Sequence, residues 1–496
     1  MKKYDLLKVL GIAFLILIVL SWVVVPGTLA SGEFMKAETT TPIGLFDLVR
    51  LPVITIGTFF QFGIVLLIIG GLYGVINKTG VYGKLVEGIA GKFKDKEKRF
   101  LIITMIVLII LSSLTGLTWV LFALVPFLAA VILRMGYSRV SALATTVGAI
   151  LIGSMGSTYG FGINGYIINL LSIDNVSYEI LTKIVFLVII SVIYIAFVLK
   201  ASKLKEVESP KKKTSKKDSK KETKKDKVKK ETIEAPKDIP LYIESEAKER
   251  SIWPLVIIFG ITIILLLVGM YNFYYSFGVE AFQNFHSDVV EFEVGGYAIF
   301  AKLLGTVNAL GYWSNYELCV LLMFLAIVIG LVYHVKFKDM IDGFVEGAKQ
   351  MLAPAIYVVL ANIIFAFMVT TGTGYTICDT IANLILSISK NFNAGLSALA
   401  AAVGSIFYND FYYLIYSVTG YYQANLGDAG QLEIIGIIYQ TVYGLLMLFL
   451  PTSLALVAGL SYLKVSYKEW LKYIWKLLLA LLVIVVIVIV IVALFA

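Results

Sequence analysis

The chain has 496 residues, of which 59% are hydrophobic, and its formal net charge is +9. With a mean hydropathy of +0.89, the composition lies far outside the range of soluble globular proteins and excludes that class. Runs of about 20 apolar residues, the length that crosses a bilayer core of about 30 Å as a helix, recur along the chain. The composition therefore predicts an all-α polytopic membrane protein rather than a barrel of alternating strands.

The first apolar segment covers residues 6–25. It follows two lysines and precedes small residues, as in a secretory signal peptide. Its length of about 20 residues is nearer that of a spanning helix than that of a signal-peptide core. We therefore expect residues 1–30 to remain as the first transmembrane segment.

The hydropathy pattern predicts about nine transmembrane helices. They run near residues 5–26, 53–77, 139–171, 178–200, 252–273, 318–335, 353–371, 432–460 and 471–496. Pro354 is expected at the start of its helix, where a missing N–H does no harm, whereas Pro451 falls inside one and must kink or break it.

Two further apolar stretches, near residues 100–135 and 393–420, are interrupted by polar or glycine-containing turns. The first arm of the first stretch, residues 100–111, would reach only about 18 Å as a helix, too short to span. We interpret each stretch as a re-entrant hairpin with a polar tip. Backbone at that depth is tolerated only where protein or a wet cavity surrounds it.

Residues 160–165, GFGING, have the spacing of a dinucleotide-binding turn. They follow an apolar segment in which no βαβ unit can be drawn, so that interpretation fails. Gly160, Gly162 and Gly165 instead predict that the helix is interrupted within the membrane, and Pro451 marks the corresponding break in the second half.

Residues 201–250 hold 17 Lys or Arg against 11 Asp or Glu and almost no apolar residues at their centre. Such a segment cannot bury enough surface to offset the entropy of ordering, so we expect a disordered cytoplasmic linker. A solvated tether is preferred over contact with anionic lipid, and no nucleic-acid partner is expected.

The charges of the other loops agree with a cytoplasmic linker and N-terminus. Residues 78–99 carry seven basic and three acidic residues and fall inside, while residues 276–317 carry five acidic residues and one lysine and fall outside. We therefore predict a multi-pass protein of the cell (cytoplasmic) membrane.

The order of elements repeats. Two helices, a hairpin, an interrupted helix and a plain helix fill residues 1–200, and the same series fills residues 318–496. The connecting helix and external segment, residues 251–317, reverse the second series, so the two halves are predicted to be inverted repeats.

Three stretches, LIIGGLYGVINKTGVYGKL (residues 67–85), SWVVVPG near the start and LPTSLALVAGLSYLKVSYKEWLKYIW (residues 450–475), resemble the anaerobic four-carbon dicarboxylate carrier family, in its YfcC-like branch, within the ion transporter superfamily. The resemblance implies a homodimeric secondary transporter in which a domain carrying both hairpins moves like an elevator. It also implies a site at the hairpin tips and the helix interruptions.

Neutral ligand groups cluster at those tips and interruptions, where no Lys or Arg falls. A half-helix end can hold a carboxylate without a cation, so these groups are candidate ligands for a carboxylate, an amine or sodium. The candidate substrate-binding residues are Thr115, Gly116, Ser154, Ser157, Thr158, Asn164, Asn409, Gln440, Thr452 and Ser453. For each Ser or Thr the alternative is a hydrogen bond to its own helix.

Asp410 is the one carboxylate that the pattern places at depth, where an ionisable group is a functional candidate. It could bind a coupling proton, hold sodium or meet the ammonium or guanidinium of a substrate. The alternative is a solvated residue on a tip nearer the surface. Tyr408, Tyr412, Tyr413 and Tyr416 could pack at an interface or line a pocket.

These features predict an ion-coupled secondary transporter of a small organic acid or amino acid, with Na+ or H+ as coupling ion and no other cofactor. The alternatives are a cationic amino-acid exchanger, of the arginine and ornithine kind, and a channel. No metal-binding or catalytic motif is present in the sequence, so an enzyme is not expected.

Overall fold

The computed structural model describes residues 5–30, 33–36, 42–54, 59–202, 238–244, 250–305, 307–370, 377–389, 391–426 and 428–494, with residues 38 and 57. The helices before residue 203 are α1 Asp5–Val23, α2 Leu45–Ile54, α3 Ile64–Lys78, α4 Val81–Lys92, α5 Glu97–Thr115, α6 Thr118–Phe122, α7 Val125–Arg134, α8 Arg139–Leu143, α9 Ala149–Met155, α10 Tyr166–Leu171 and α11 Ile180–Ala201. The later helices are α12 Trp253–Met270, α13 Phe273–Phe277, α14 Ala281–Glu291, α15 Ile299–Leu304, α16 Asn315–Val332, α17 Phe337–Thr370, α18 Ile377–Leu386, α19 Ala394–Phe407, α20 Phe411–Asn425, α21 Ala429–Met447, α22 Leu454–Tyr462 and α23 Tyr467–Ala493.

The predicted all-α membrane fold is confirmed. Among the described residues, strands form only two small antiparallel hairpins: β1 Gly27–Ala30 with β2 Glu33–Lys36, and β3 Glu293–Val294 with β4 Tyr297–Ala298. Three π-helical turns, Phe59–Gly63, Ala144–Gly148 and Phe161–Gly165, precede α3, α9 and α10. The last two turns belong to the helix for which an interruption was predicted.

Eight helices of the described part are long and apolar enough to cross a membrane: Asp5–Val23, Gln61–Lys78, Glu97–Thr115, Ile180–Ala201, Trp253–Met270, Asn315–Val332, Phe337–Ile363 and Tyr467–Ala493. The nine predicted helices include two that the structure splits at breaks, residues 139–171 and 432–460, and no piece of either is among the eight. The count of nine and the inverted arrangement of the halves stay predictions.

The first arm of the first predicted hairpin is longer than expected. Residues 97–99 and 112–115 extend it to a helix of 19 residues, α5, which is long enough to span by itself. The polar ends lengthen the helix because they continue its hydrogen-bond ladder, which hydropathy alone does not detect. The re-entrant geometry of this hairpin, and of its counterpart formed by α19 and α20, stays a prediction.

The prediction for Pro354 is wrong. This residue lies inside α17, a helix of 34 residues that begins at Phe337, and not at a helix start. The amphipathic residues 337–352 join the apolar stretch without a break, so the helix has to continue through a residue that cannot donate its backbone hydrogen bond. Packing against neighbouring helices lets membrane helices tolerate such a proline.

The end of the predicted disordered linker is ordered in the structure. The amide nitrogen of Leu241 donates to Gln350 Oε1 at 2.9 Å, and Asn77 Nδ2 donates to the Leu241 carbonyl at 3.0 Å. Asp238 lies 2.9 Å from Lys464 Nζ, and this hydrogen bond lowers the pKa of the Asp238 carboxyl. Residues 238–244 thus connect α3, α17 and the end of α22, while residues 203–237 and 245–249 lie outside the described residues.

Helices α3 and α17 pack closely against each other, and glycines make this contact possible. Gly70 and Gly74 of α3 face Gly347 and Gly343 of α17, each pair with the four-residue spacing that lets helix backbones approach. A Cβ on Gly74 would overlap the carbonyl oxygen of Gly343, and one on Gly347 would overlap that of Gly70. The two halves of the chain are therefore joined by backbone-to-backbone packing.

We expect Gly74→Ala to lower the free energy of unfolding by about 1–3 kcal/mol, because the added methyl group forces two packed helices apart. Thermal unfolding of the purified protein in detergent measures the change. Gly91→Ala is the matched control, since a Cβ on that α4 glycine meets no atom within 4 Å. Equal melting temperatures for the two variants would contradict the role of the glycine contact.

Candidate functional site

A cavity of about 610 Å³ lies where the two predicted hairpin tips meet the two helix breaks. The tips are the turn at Gly116, between α5 and α6, and the loop of residues 408–410, between α19 and α20. The breaks are residues 156–160, after α9, and residues 448–453, between α21 and α22. Segments far apart in sequence thus enclose one space.

Ser113 satisfies the backbone of the first break. Its carbonyl oxygen accepts hydrogen bonds from the amides of Thr158 and Gly160, at 3.0 and 3.1 Å. Its hydroxyl donates to the carbonyl of Gly156 at 2.7 Å. This serine at the first tip therefore replaces the helical partners that the break removes.

Gly116 allows this tip to approach the break. Its φ of 69° lies in the left-handed region, which favours glycine. A Cβ here would lie 3.2 Å from the amide nitrogen of Gly162 and 3.3 Å from Gly160. A larger residue would be strained and would push the tip away from the break.

The second break contains Pro451, as predicted, and α22 begins directly after Ser453. The side chain of Ser453 makes no capping hydrogen bond, although it stands at the N-cap of α22. Gln440, within α21, contacts the first break, since its Nε2 donates to the Ser157 carbonyl at 2.7 Å. The first turn of α22 faces the cavity through Leu454 and Ala455.

The structure divides the predicted site residues into two groups. Those that line the cavity are Gly116, Ser154, Ser157, Gly162, Asn409, Asp410 and Ser453. Those that do not line it are Thr115, Thr158, Gly160, Asn164, Gly165, Gln440, Pro451 and Thr452.

Most of the second group have structural partners instead. Thr115 Oγ1 donates to the carbonyl of Leu111 at 2.7 Å, which is the alternative considered for every Ser and Thr. Thr158 Oγ1 lies 3.1 Å from Ser113 Oγ. Thr452 Oγ1 is buried and has no partner among the described residues.

Ser154 and Ser453 differ from the other hydroxyl residues. Both line the cavity, one from each broken helix, and neither hydroxyl hydrogen-bonds to another described residue. Hydroxyl groups in protein interiors are normally paired, so an unpaired hydroxyl facing a cavity is available to a ligand or water.

Asp410 is the N-cap of α20, and its Oδ1 accepts a hydrogen bond from the Tyr412 amide at 2.9 Å. The residue is partly buried and lines the cavity. It is the one charged residue among the described residues that line this space. Asp410 therefore has both a capping role and a position from which its second oxygen can meet a ligand.

Several aromatic residues line the cavity together with Asp410. The ring centroids of Tyr412 and Tyr413 are 5.1 Å apart, and Tyr412 lies 5.3 Å from Tyr166 of α10. Tyr443 donates from its hydroxyl to the carbonyl of Asn409 at 2.7 Å. Of the four tyrosines considered from sequence, Tyr412 and Tyr413 line the cavity, whereas Tyr408 and Tyr416 do not.

Sequence reasoning missed several residues of this site. Trp119, Tyr166, Asn362 and Tyr443 line the cavity from helices in which they look like ordinary membrane-helix residues. Asn362 accepts a hydrogen bond from Asn409 Nδ2 at 3.0 Å. An asparagine within an apolar helix was the available signal, because amides are costly there without partners.

Lys183 was also missed. It is only 2% exposed, and its Nζ donates to Asn164 Oδ1 at 2.6 Å and lies 3.2 Å from the centroid of the Tyr178 ring. No carboxylate of the described residues forms an ion pair with it. The predicted interruption thus contacts a lysine from α11, and a lysine in an apolar helix was a readable signal.

The membrane-spanning helices and the cavity between them identify the class of protein: it is an integral membrane protein with an internal cavity. The model of the C4-dicarboxylate anaerobic carrier family matches residues 8–494, and the chain belongs to this family. The predicted family resemblance is confirmed, and the family is one of carriers rather than enzymes.

A curated relative is "Putative basic amino acid antiporter YfcC" of Escherichia coli (strain K12), 29% identical over 157 residues. The match covers 29% of this chain and 30% of that protein. A solved structure, the YdaH transporter of Alcanivorax borkumensis, is 14% identical with a TM-score of 0.38 over 98% of both chains. At that level of similarity, nothing about this chain follows from the likeness.

We expect Lys183→Met to lower the free energy of unfolding by about 1–3 kcal/mol, because Asn164 Oδ1 then remains buried without a donor. Adding Asn164→Leu should recover much of that loss, giving a coupling energy of about 1 kcal/mol in a double-mutant cycle. Lys200→Met, at the exposed end of the same helix, is the control. Strictly additive effects on chemical unfolding would contradict the contact.

Proposed function

We propose that the protein is an ion-coupled secondary transporter whose substrate is an amino acid, with cationic amino acids preferred. The observation that carries this proposal is the charge of the cavity: among its described lining residues, Asp410 alone is charged. A dicarboxylate would meet a carboxylate and no cation. An amino acid brings an ammonium group that pairs with it.

The α-carboxylate of such a substrate has a counterpart at the second break. Helix α22 begins at Leu454, and its first residues line the cavity beside the unpaired hydroxyl of Ser453. The first N–H groups of a helix lack internal partners and carry a partial positive charge, which suits a carboxylate. Discontinuous helices bind substrate carboxylates in this way in other transporters.

The side chain of the substrate would face the tyrosines. Tyr412, Tyr413 and Tyr166 line the same cavity as Asp410, and such rings attract guanidinium and ammonium groups. The name of the Escherichia coli relative, a basic amino acid antiporter, supports this choice within a family named for dicarboxylates.

Transport by an elevator movement of the two hairpins, inverted repeats and a homodimer belong to the same proposal. The Gly70, Gly74, Gly343 and Gly347 contact would lie in the fixed scaffold, because its helices are too closely packed to slide. Na+ or H+ would be the coupling ion. The cell membrane, with the N-terminus inside, is the proposed location.

The test is uptake into liposomes that contain the purified protein. Labelled arginine, ornithine, glutamate and succinate are compared, each with and without a sodium gradient, a pH gradient or internal unlabelled amino acid. We expect arginine or ornithine to accumulate and to be displaced by the other. Uptake of succinate without uptake of any amino acid would overturn the substrate class, and flux that no gradient drives uphill would favour a channel.

We expect Asp410→Asn to reduce uptake of a cationic amino acid more than tenfold, because removing one partner of a buried charge pair costs about 2–5 kcal/mol. Asparagine caps helices about as well as aspartate, so the melting temperature should hardly change. Initial uptake rates and thermal unfolding are measured on the same preparation.

Asp428→Asn is the matched control for this prediction. Asp428 caps α21 with the same type of hydrogen bond, from the Gly430 amide at 2.8 Å, but it is exposed and does not line the cavity. Wild-type uptake by the Asp410 variant, or an equal loss in both variants, would exclude Asp410 as a substrate ligand.

A further inference from the structure

A second cavity of about 610 Å³ lies away from the central one, between α3, α4, α7 and α12. Its lining is almost entirely apolar and aromatic, with Ile76, Leu85, Phe127, Val256 and Phe259 among its residues. No residue of the central cavity takes part in it. The transport mechanism proposed above therefore does not use this space.

Two polar groups belong to the apolar cavity. Lys92, at the last turn of α4, is exposed and is the one charged residue in the lining. Tyr82 is only 2% exposed. Its hydroxyl is buried and has no hydrogen-bond partner among the described residues. By contrast, the hydroxyl of Tyr73 in the same lining donates to the Ala123 carbonyl at 2.9 Å. A buried unpaired hydroxyl calls for a partner.

The position of the cavity matches one membrane leaflet. It is lined by the end of α3, by α4 and by the first turns of α12, which the predicted topology places at the cytoplasmic side. Trp253 and Val256 of α12 are 65% and 37% exposed in the isolated chain, so this side of the cavity faces the surrounding lipid. A molecule could enter from the inner leaflet without crossing water.

We propose that this cavity binds one anionic phospholipid of the inner leaflet, with an acyl chain in the apolar part and the phosphate beside Lys92. An amphiphile with an anionic head group suits an apolar lining that includes a single cation. Phospholipids of negative charge are enriched on the cytoplasmic side, and basic residues there attract them.

Native mass spectrometry of the purified full chain tests the proposal. Detergent solutions are titrated with phosphatidylglycerol or with phosphatidylcholine of the same acyl chains, and bound lipid is counted. We expect one phosphatidylglycerol per chain to be retained in preference to phosphatidylcholine. Lys92→Gln should reduce this preference about fivefold, as expected for one lysine near a membrane surface, whereas Lys94→Gln on the same exposed segment should not.

Filling the cavity gives a second arm. A Cβ on Gly88 or on Gly260, which lie on opposite sides, meets no atom within 4 Å, so Gly88→Phe and Gly260→Phe can place a ring in the space. Each should weaken lipid retention more than tenfold, because the acyl chain loses its apolar contacts. Gly91→Phe adds the same ring to α4 outside the cavity and should retain the lipid.

Three outcomes would overturn the proposal. They are equal retention of both lipids, unchanged retention in both phenylalanine variants, and release of the bound molecule as a free fatty acid. Because each measurement concerns lipid alone, the result does not depend on the transported substrate.

Discussion

The structure depends on one constraint, that backbone polar groups inside a membrane must find partners within the protein. A helix that breaks at residues 156–160 loses several of these partners at once. Ser113 restores three of them, through its carbonyl and its hydroxyl, from a segment more than 40 residues earlier in the chain. The first tip and the first break therefore form one unit, and this unit borders the cavity that Ser154 lines.

The positions of the tips and breaks could be predicted from sequence because they are marked by local residues. Glycine and proline disfavour a continuous helix, so Gly160, Gly162 and Pro451 located the two breaks that border the cavity without any contact information. The extent of α5 and the interior position of Pro354 could not be predicted in this way. Both depend on polar residues that continue a helix past the apolar stretch.

The sequence could not predict which Ser and Thr hydroxyls face the cavity and which bond within the protein, for a different reason. A helical period assigns a face to each residue, and a break removes that period. Thr158 and Ser154 are four residues apart beside the same break. The Thr158 hydroxyl hydrogen-bonds to the Ser113 hydroxyl, whereas Ser154 lines the cavity. Lys183 reaches the site region only through its contact with Asn164, and Asn362 lines the cavity beside Asn409, a residue of a different segment.

Under the proposed function, the net charge of the site with its substrate bound distinguishes a cationic amino acid from a dicarboxylate. One oxygen of Asp410 accepts from the Tyr412 amide and the other has no partner among the described residues, so with Asp410 ionised the site without substrate would carry one negative charge. A cationic amino acid brings one positive charge and would cross the membrane as a neutral complex. A dicarboxylate would leave three negative charges, which is costly in a low-dielectric interior unless cations accompany it. Asp410 would thereby influence substrate choice and the number of coupling ions together, because both follow from neutralising the same cavity.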